Sequence, residues 1–144
     1  MRVDRLTEDH ARAISEWRYE FPYEWYDTST DPRRIELFAK PEEHELRAVV
    51  DDAGELVGFF NFVHHRDEIR VGLGMRPDLT GHGLAQPFIE AGLDYARTEW
   101  QPRRFRLWVA AWNERALRAY RRAGFREVDR GGEQSRFVEM ERPA

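Results

Sequence analysis

Between Glu68 and Ala85 the chain reads as a strand, a glycine loop and the start of a helix, the stretch around which the rest is organised. Ile69, Val71, Leu73 and Met75 alternate with Arg70, Gly72 and Gly74, the period of a strand. Pro77 and Asp78 stop that strand. Gly81 and Gly83 allow a sharp turn, and from Leu84 the pattern is helical. A helix that opens from a glycine loop aims several unpaired backbone N–H groups at one spot, and its dipole adds partial positive charge there. Such a site suits a phosphate or pyrophosphate. The loop is neither the Gly-x-Gly-x-x-Gly of an early βαβ dinucleotide unit nor a Walker loop, which needs Gly-Lys-Ser/Thr.

The rest of the chain must build a core around this stretch. With 144 residues, 41% of them hydrophobic, the expectation is a single domain spanning residues 1–144. A formal net charge of −4 argues against nucleic acid as the main partner and favours cationic or neutral small molecules. The absence of cysteine excludes disulfides, thiolate metal sites and a covalent cysteine intermediate. No apolar run is long enough to span a bilayer, and Met-Arg-Val-Asp-Arg-Leu carries no signal-peptide core, so the expected setting is cytoplasmic, with no membrane partner.

In chain order, Val3–Leu6 suits a first strand. Thr7 is a helix N-cap, followed by Glu8 and Asp9 in a helix running to about Arg18 with Ala11, Ile14 and Trp17 on one face. Asp31 and Pro32 open a second short helix with Ile35, Leu37 and Phe38 inward, and Pro41 ends it. Leu46–Val50 and Leu56–Val63 flank the turn Asp51-Asp52-Ala53-Gly54 as a hairpin. His64-His65-Arg66-Asp67 then turns into the Glu68 strand. Adjacent strand histidines face opposite ways and chelate one metal poorly, and no other cluster has ligand spacing, so no metal is expected. The helix from Leu84 to about Trp100 buries Phe88, Ile89, Leu93, Tyr95 and Ala96. Pro87, placed in its second turn, is expected to loosen its start. Arg103–Ala111 is a strand, Asn113-Glu114 opens a helix through Ala123, and Gly124 follows it. Phe125–Arg130, a Gly131-Gly132 turn and Ser135–Glu141 complete a final hairpin, whose Arg136–Met140 edge is open to a dimer contact.

One segment is dense in aromatics: Trp17, Tyr19, Phe21, Tyr23, Trp25 and Tyr26. Ordinary packing accounts for such rings. Tyr23, Trp25 and Tyr26 are also candidates to line an acceptor pocket, since aromatic walls attract cations and Glu20, Glu24 and Asp27 lie between them.

The run Asn113-Glu114-Arg115-Ala116-Leu117-Arg118-Ala119-Tyr120, ending in Gly124-Phe125, resembles the GNAT superfamily of N-acetyltransferases. Thr80-Gly81-His82-Gly83-Leu84-Ala85 is similar to that family's acetyl-coenzyme A loop, Gln/Arg-x-x-Gly-x-Gly/Ala, and the two motifs stand in the family's order. The resemblance implies an α/β (α+β) fold. Its twisted sheet of six to seven strands is mixed and mostly antiparallel, with about four helices, and splays between two central strands. It implies that Thr80, Gly81, His82, Gly83, Leu84 and Ala85 hold the coenzyme A pyrophosphate. Leu73, Gly74 and Met75 would pair with the pantetheine arm, an N–H near Leu73 or Gly74 polarising the thioester. Gly72 and Gly74 would leave room on one strand face. Asn113 belongs to the cofactor motif and is equally a helix N-cap. Tyr120 matches the tyrosine that meets the coenzyme A sulfur and protonates the leaving thiolate. Glu68 stands where many members carry a carboxylate base. Thr80 departs from the family's Gln/Arg, and His82 and Arg76 are the neighbours able to replace it.

The expected activity is direct acetyl transfer from acetyl-coenzyme A to a primary amine of a small molecule or a peptide or protein N-terminus, through a ternary complex, by a monomer or homodimer. The rival is a non-catalytic acyl-coenzyme A-binding module on the same fold.

Overall fold

The computed structural model describes residues 1–128 and 136–144. The Gly131-Gly132 turn therefore lies outside the described residues. Among the described residues seven strands form one mixed sheet in the order β1-β2-β3-β4-β5-β7-β6, with four α-helices. The strands are β1 Arg2–Arg5, β2 Glu45–Val50, β3 Leu56–His65, β4 Glu68–Met75, β5 Arg104–Ala110, β6 Arg126–Glu127 and β7 Phe137–Pro143. The helices are α1 Glu8–Ser15, α2 Pro32–Ala39, α3 Ala85–Trp100 and α4 Glu114–Arg122. The chain divides into two compact units, one of residues 1–61 and 73–84, the other of residues 62–72 and 85–144.

In the first unit, β1 pairs antiparallel with β2, Arg2 opposite Val50 and Arg5 opposite Arg47. Thr7 caps α1: its hydroxyl accepts from the His10 N–H, while His10 Nδ1 accepts from the Thr7 N–H. The helix stops at Ser15, three residues short of the expected end. Its last backbone bonds tighten to i→i−3, Glu16 to Ala13 and Trp17 to Ile14, and the Arg18 guanidinium folds back onto the Ser15 and Trp17 carbonyls. Trp17 thereby leaves the helix and packs on Phe59 beside a core of Leu6, Ala11, Ile14, Phe38, Leu46 and Ala48. Asp31 caps α2 through the Arg33 N–H, with Pro32 at the first position. Ile35, expected inward, is half exposed, because Phe38 and Leu37 take the buried side of this short helix. Asp51 Oδ1 accepts from the Ala53 and Glu55 N–H groups and closes the β2–β3 turn, where Gly54 has φ +82°.

β3 runs on through His65, so both histidines are strand residues and the turn contracts to Arg66-Asp67. In the second unit His64 packs edge-on against Trp100, as does Phe62. β4 and β5 are parallel over three pairs only, from Glu68–Arg104 to Arg70–Arg106. On its other edge β5 pairs along its whole length with antiparallel β7. Phe105, Leu107 and Val109 of β5 are buried, as are Phe88, Ile89, Leu93 and Ala96 of α3, while Tyr95 is half-buried. β7 is interior, between β5 and β6, so it is not the open edge expected of it. The edge strand on this side is β6, two residues long among the described residues.

Pro87 is the third residue of α3, in its first turn. The first four N–H groups of a helix have no partner within it, so this proline removes no helical bond. The expected loosening has no cause here.

Candidate active site

The glycine loop is built to expose backbone. Gly81 and Gly83 have φ +78° and +76°, where L side chains are strained, and a Cβ at either would meet no atom within 4 Å. These glycines serve the turn, and the space beside them is open. The loop is approached through a short 3₁₀ turn, Pro77–Leu79. The Thr80 hydroxyl donates to the Pro77 carbonyl at 2.7 Å, closing that turn. Bracing comes from Arg76, whose guanidinium donates to the Leu56 carbonyl at 2.7 Å and to Asp78 at 2.6 Å. Its backbone N–H also bonds the Val57 carbonyl. Arg76 is thus spent on the loop's base. The bond and charge of Asp78 raise its pKa above the ordinary value, and the same bond holds the Asp78 carboxyl below its own. His82 and both glycines are exposed.

The end of β4 is shaped by the same contacts. Since the Arg76 N–H reaches β3, strand alternation turns the N–H and C=O of Met75, and one pleat back of Leu73, to the other edge, and those of Gly74 toward β3. The Met75 carbonyl accepts from the Tyr19 hydroxyl at 2.7 Å. On its side-chain face Gly74 is closely packed. A Cβ there would overlap the Phe59 ring, 2.8 Å from Cζ. The glycine admits a core ring.

Tyr19 was not among the sequence candidates. Its N–H donates to the Asp27 carboxylate at 2.8 Å, and that carboxylate is buried. Asp27 is therefore an anchor for the aromatic segment. Tyr23, Trp25 and Tyr26 share one 3₁₀ turn. Trp25 and Tyr26 meet edge to face, with the Arg34 guanidinium 4.9 and 5.5 Å from their centroids and donating to the Trp25 carbonyl. Burial outweighs Asp31 and lowers the Arg34 pKa. These two rings already hold a cation of the chain itself. Tyr23 is half-buried, and Glu20 and Glu24 are exposed.

In the second unit Asn113 caps α4 and Tyr120 lies on it. Asn113 is buried and its Oδ1 accepts from the Ala116 N–H at 3.1 Å, the N-cap expected of it. Tyr120 is half-buried, edge-on to Phe125 at 5.9 Å, and its carbonyl takes the Phe125 N–H. Gly124, at φ +93°, ends the helix.

Glu68 sits in an ionic cluster. Its Oε2 accepts from Arg106 Nε at 2.6 Å, and Arg104 lies 3.7 Å from Oε1. Arg106 also pairs with Glu139 and Glu141, and Glu141, almost fully buried, with Arg104 and Arg126. The Arg106 bond, helped by Arg104, holds the Glu68 carboxyl below its ordinary pKa. These contacts favour the ionised carboxylate at neutral pH. No group of three or more His, Asp or Glu able to hold a metal occurs among the described residues. None of their helices is long and apolar enough to cross a membrane.

Residues 11–125 match the model of the acetyltransferase (GNAT) family, most of the chain. The chain belongs to the GNAT acetyltransferase family. It is 30% identical over 124 residues to spermidine N(1)-acetyltransferase of Escherichia coli, covering 81% of this chain and 63% of that protein. The match thus spans less than two thirds of the relative's length. Among solved structures, spermidine N-acetyltransferase from Vibrio cholerae in complex with CoA and spermine superposes with a TM-score of 0.70 at 21% identity, covering 98% of this chain and 94% of that one. N-acetyltransferase PseH from Campylobacter jejuni gives 0.72 at 18% identity, covering 99% and 96%. These likenesses establish the GNAT fold.

Proposed function

We propose that this GNAT-family chain transfers an acetyl group from acetyl-coenzyme A directly to a primary amine, and that the amine is a small polycation of the spermidine class. The observation that carries the cofactor assignment is the loop itself. Gly81 and Gly83 hold φ values that expose the backbone, with open space where side chains would stand. The N–H groups of residues 81–84 bind the pyrophosphate, and the first turn of α3 adds the positive end of its dipole. Leu73 and Met75 present the strand edge that pairs with the pantetheine amides, and the Leu73 N–H is the oxyanion donor. Acetyl-coenzyme A supplies the activated thioester. Tyr120 Oη holds the proton that the departing thiolate takes. No cysteine exists for an acyl-enzyme, so transfer is direct within a ternary complex.

The acceptor class rests on charge and on the relatives. Residues 1–61 and 73–84 hold 16 acidic and 9 basic side chains, a net −7, and include the aromatic segment. The remaining residues hold 11 acidic and 14 basic, a net +3. Both the Escherichia coli relative and the Vibrio cholerae structure are named for spermidine acetylation.

The test is calorimetry with acetyl-coenzyme A, then thiol release with spermidine. Asp at Gly83 would add strain to charge at φ +76°, so His82→Glu is the cleaner control. It places one negative charge in the exposed loop and should weaken cofactor binding by about tenfold. Tyr120→Phe should lower kcat by about 10- to 100-fold. Unaltered turnover removes Tyr120 as the acid. Tight cofactor binding without thiol release from any amine favours the non-catalytic binding module.

A further inference from the structure

Two side chains from outside α4, Arg142 and Gln86, bond to backbone carbonyls next to Tyr120 and at the helix end. Arg142 of β7 donates to the Ala123 carbonyl at 2.6 Å and reaches Glu90 of α3 at 3.4 Å. Gln86, the second residue of α3, donates through Nε2 to the Ala119 carbonyl at 3.0 Å. The two bonds differ in kind. The last carbonyls of a helix lack helical partners, so Arg142 satisfies a group that needs one. The Ala119 carbonyl already accepts the Ala123 N–H at 3.0 Å. The Gln86 bond is therefore surplus to the helix's own ladder, and it falls on the residue immediately before Tyr120.

We infer that Gln86 is a positioning residue for Tyr120, linking the first turn of α3 to the aim of the Tyr120 hydroxyl. The inference rests on the proposed role of Tyr120 as proton donor. Rotation of a short helix about its axis swings a tyrosine hydroxyl through a long arc, because the ring stands far from that axis. One bond to the adjacent peptide resists that rotation from a rigid neighbour. The donor also sits on the first turn of α3, where the cofactor pyrophosphate is proposed to bind. Cofactor that orders this turn orders Gln86, and with it Tyr120.

The test uses Gln86→Met in the full chain, which keeps side-chain length and removes the donor, with acetyl-coenzyme A and spermidine as probes. The expected result is a kcat lowered about tenfold with KM for acetyl-coenzyme A within about twofold. Its melting temperature should stay near that of the parent, whereas Arg142→Met should lower it. On a Tyr120→Phe background the same Gln86 change should have no further effect on kcat, since its effect passes through the hydroxyl. A non-kinetic readout is 3-fluorotyrosine at position 120. Its fluorine resonance should sharpen on addition of coenzyme A in the parent and stay broad in Gln86→Met. A kcat effect that multiplies with Tyr120→Phe, or a fluorine signal indifferent to Gln86, overturns the inference and leaves the role of Tyr120 standing. Turnover unaltered by Tyr120→Phe overturns that role, and the inference with it.

Discussion

Two residues change meaning once their neighbours are known. Gly74 looks like a gap left for a ligand, yet the Phe59 ring occupies the position of its missing Cβ. Gly74→Ala should destabilise the fold by about 1–3 kcal/mol through overpacking, measured by denaturant unfolding. Truncating the ring as well, in Gly74→Ala with Phe59→Leu, should recover part of that loss. Glu68 looks like a base at a strand entry, yet Arg106 and Arg104 hold it as an anion. Its folded pKa lies below the ordinary 4.5, so its stabilising contribution is full above that value. That contribution is lost as pH falls through the lower folded pKa. Melting temperatures of Glu68→Gln and the parent should therefore differ at neutral pH and converge in acid. A gap that persists unchanged into strong acid would sink this account.

Elements obeyed their end signals better than their lengths. Thr7, Asp31 and Asn113 each cap a helix as their residue types predict. The end of α1 was not legible, because Trp17 fits the helical face equally well and its packing on Phe59 is a contact between distant residues. Pro87 shows the reverse error. A proline in the second turn would cost a bond; in the first turn it costs none and stiffens the unfolded chain. Pro87→Ala should lower stability by about 0.4–1 kcal/mol, read from the unfolding midpoint. A gain of that size would restore the original expectation of a strained helix start.

At the scale of the molecule, charge is unevenly shared between the two compact units, −7 in one and +3 in the other. A polycationic acceptor feels the acidic unit over a distance set by salt. Raising ionic strength from about 0.05 to 0.5 M should raise KM for spermidine by about three- to tenfold and KM for a monoamine much less. Equal responses would remove long-range attraction from the account of acceptor choice.

What the sequence by itself determined is what local chemistry encodes. The strand period of residues 69–75, the glycine loop, the helix caps and the two motifs each depend on residues near in the chain, and together they identified the family. Only tertiary structure decided what distant residues do to each other. Arg34 lies over Trp25 and Tyr26, Arg106 binds Glu68 across 38 positions, Tyr19 reaches Met75 across 56, and Gln86 holds the peptide before Tyr120. No spacing rule announces such pairs. Side chains far apart in sequence meet only where packing of the strands and helices brings them, and a charged or aromatic residue takes its role from the partner it finds there.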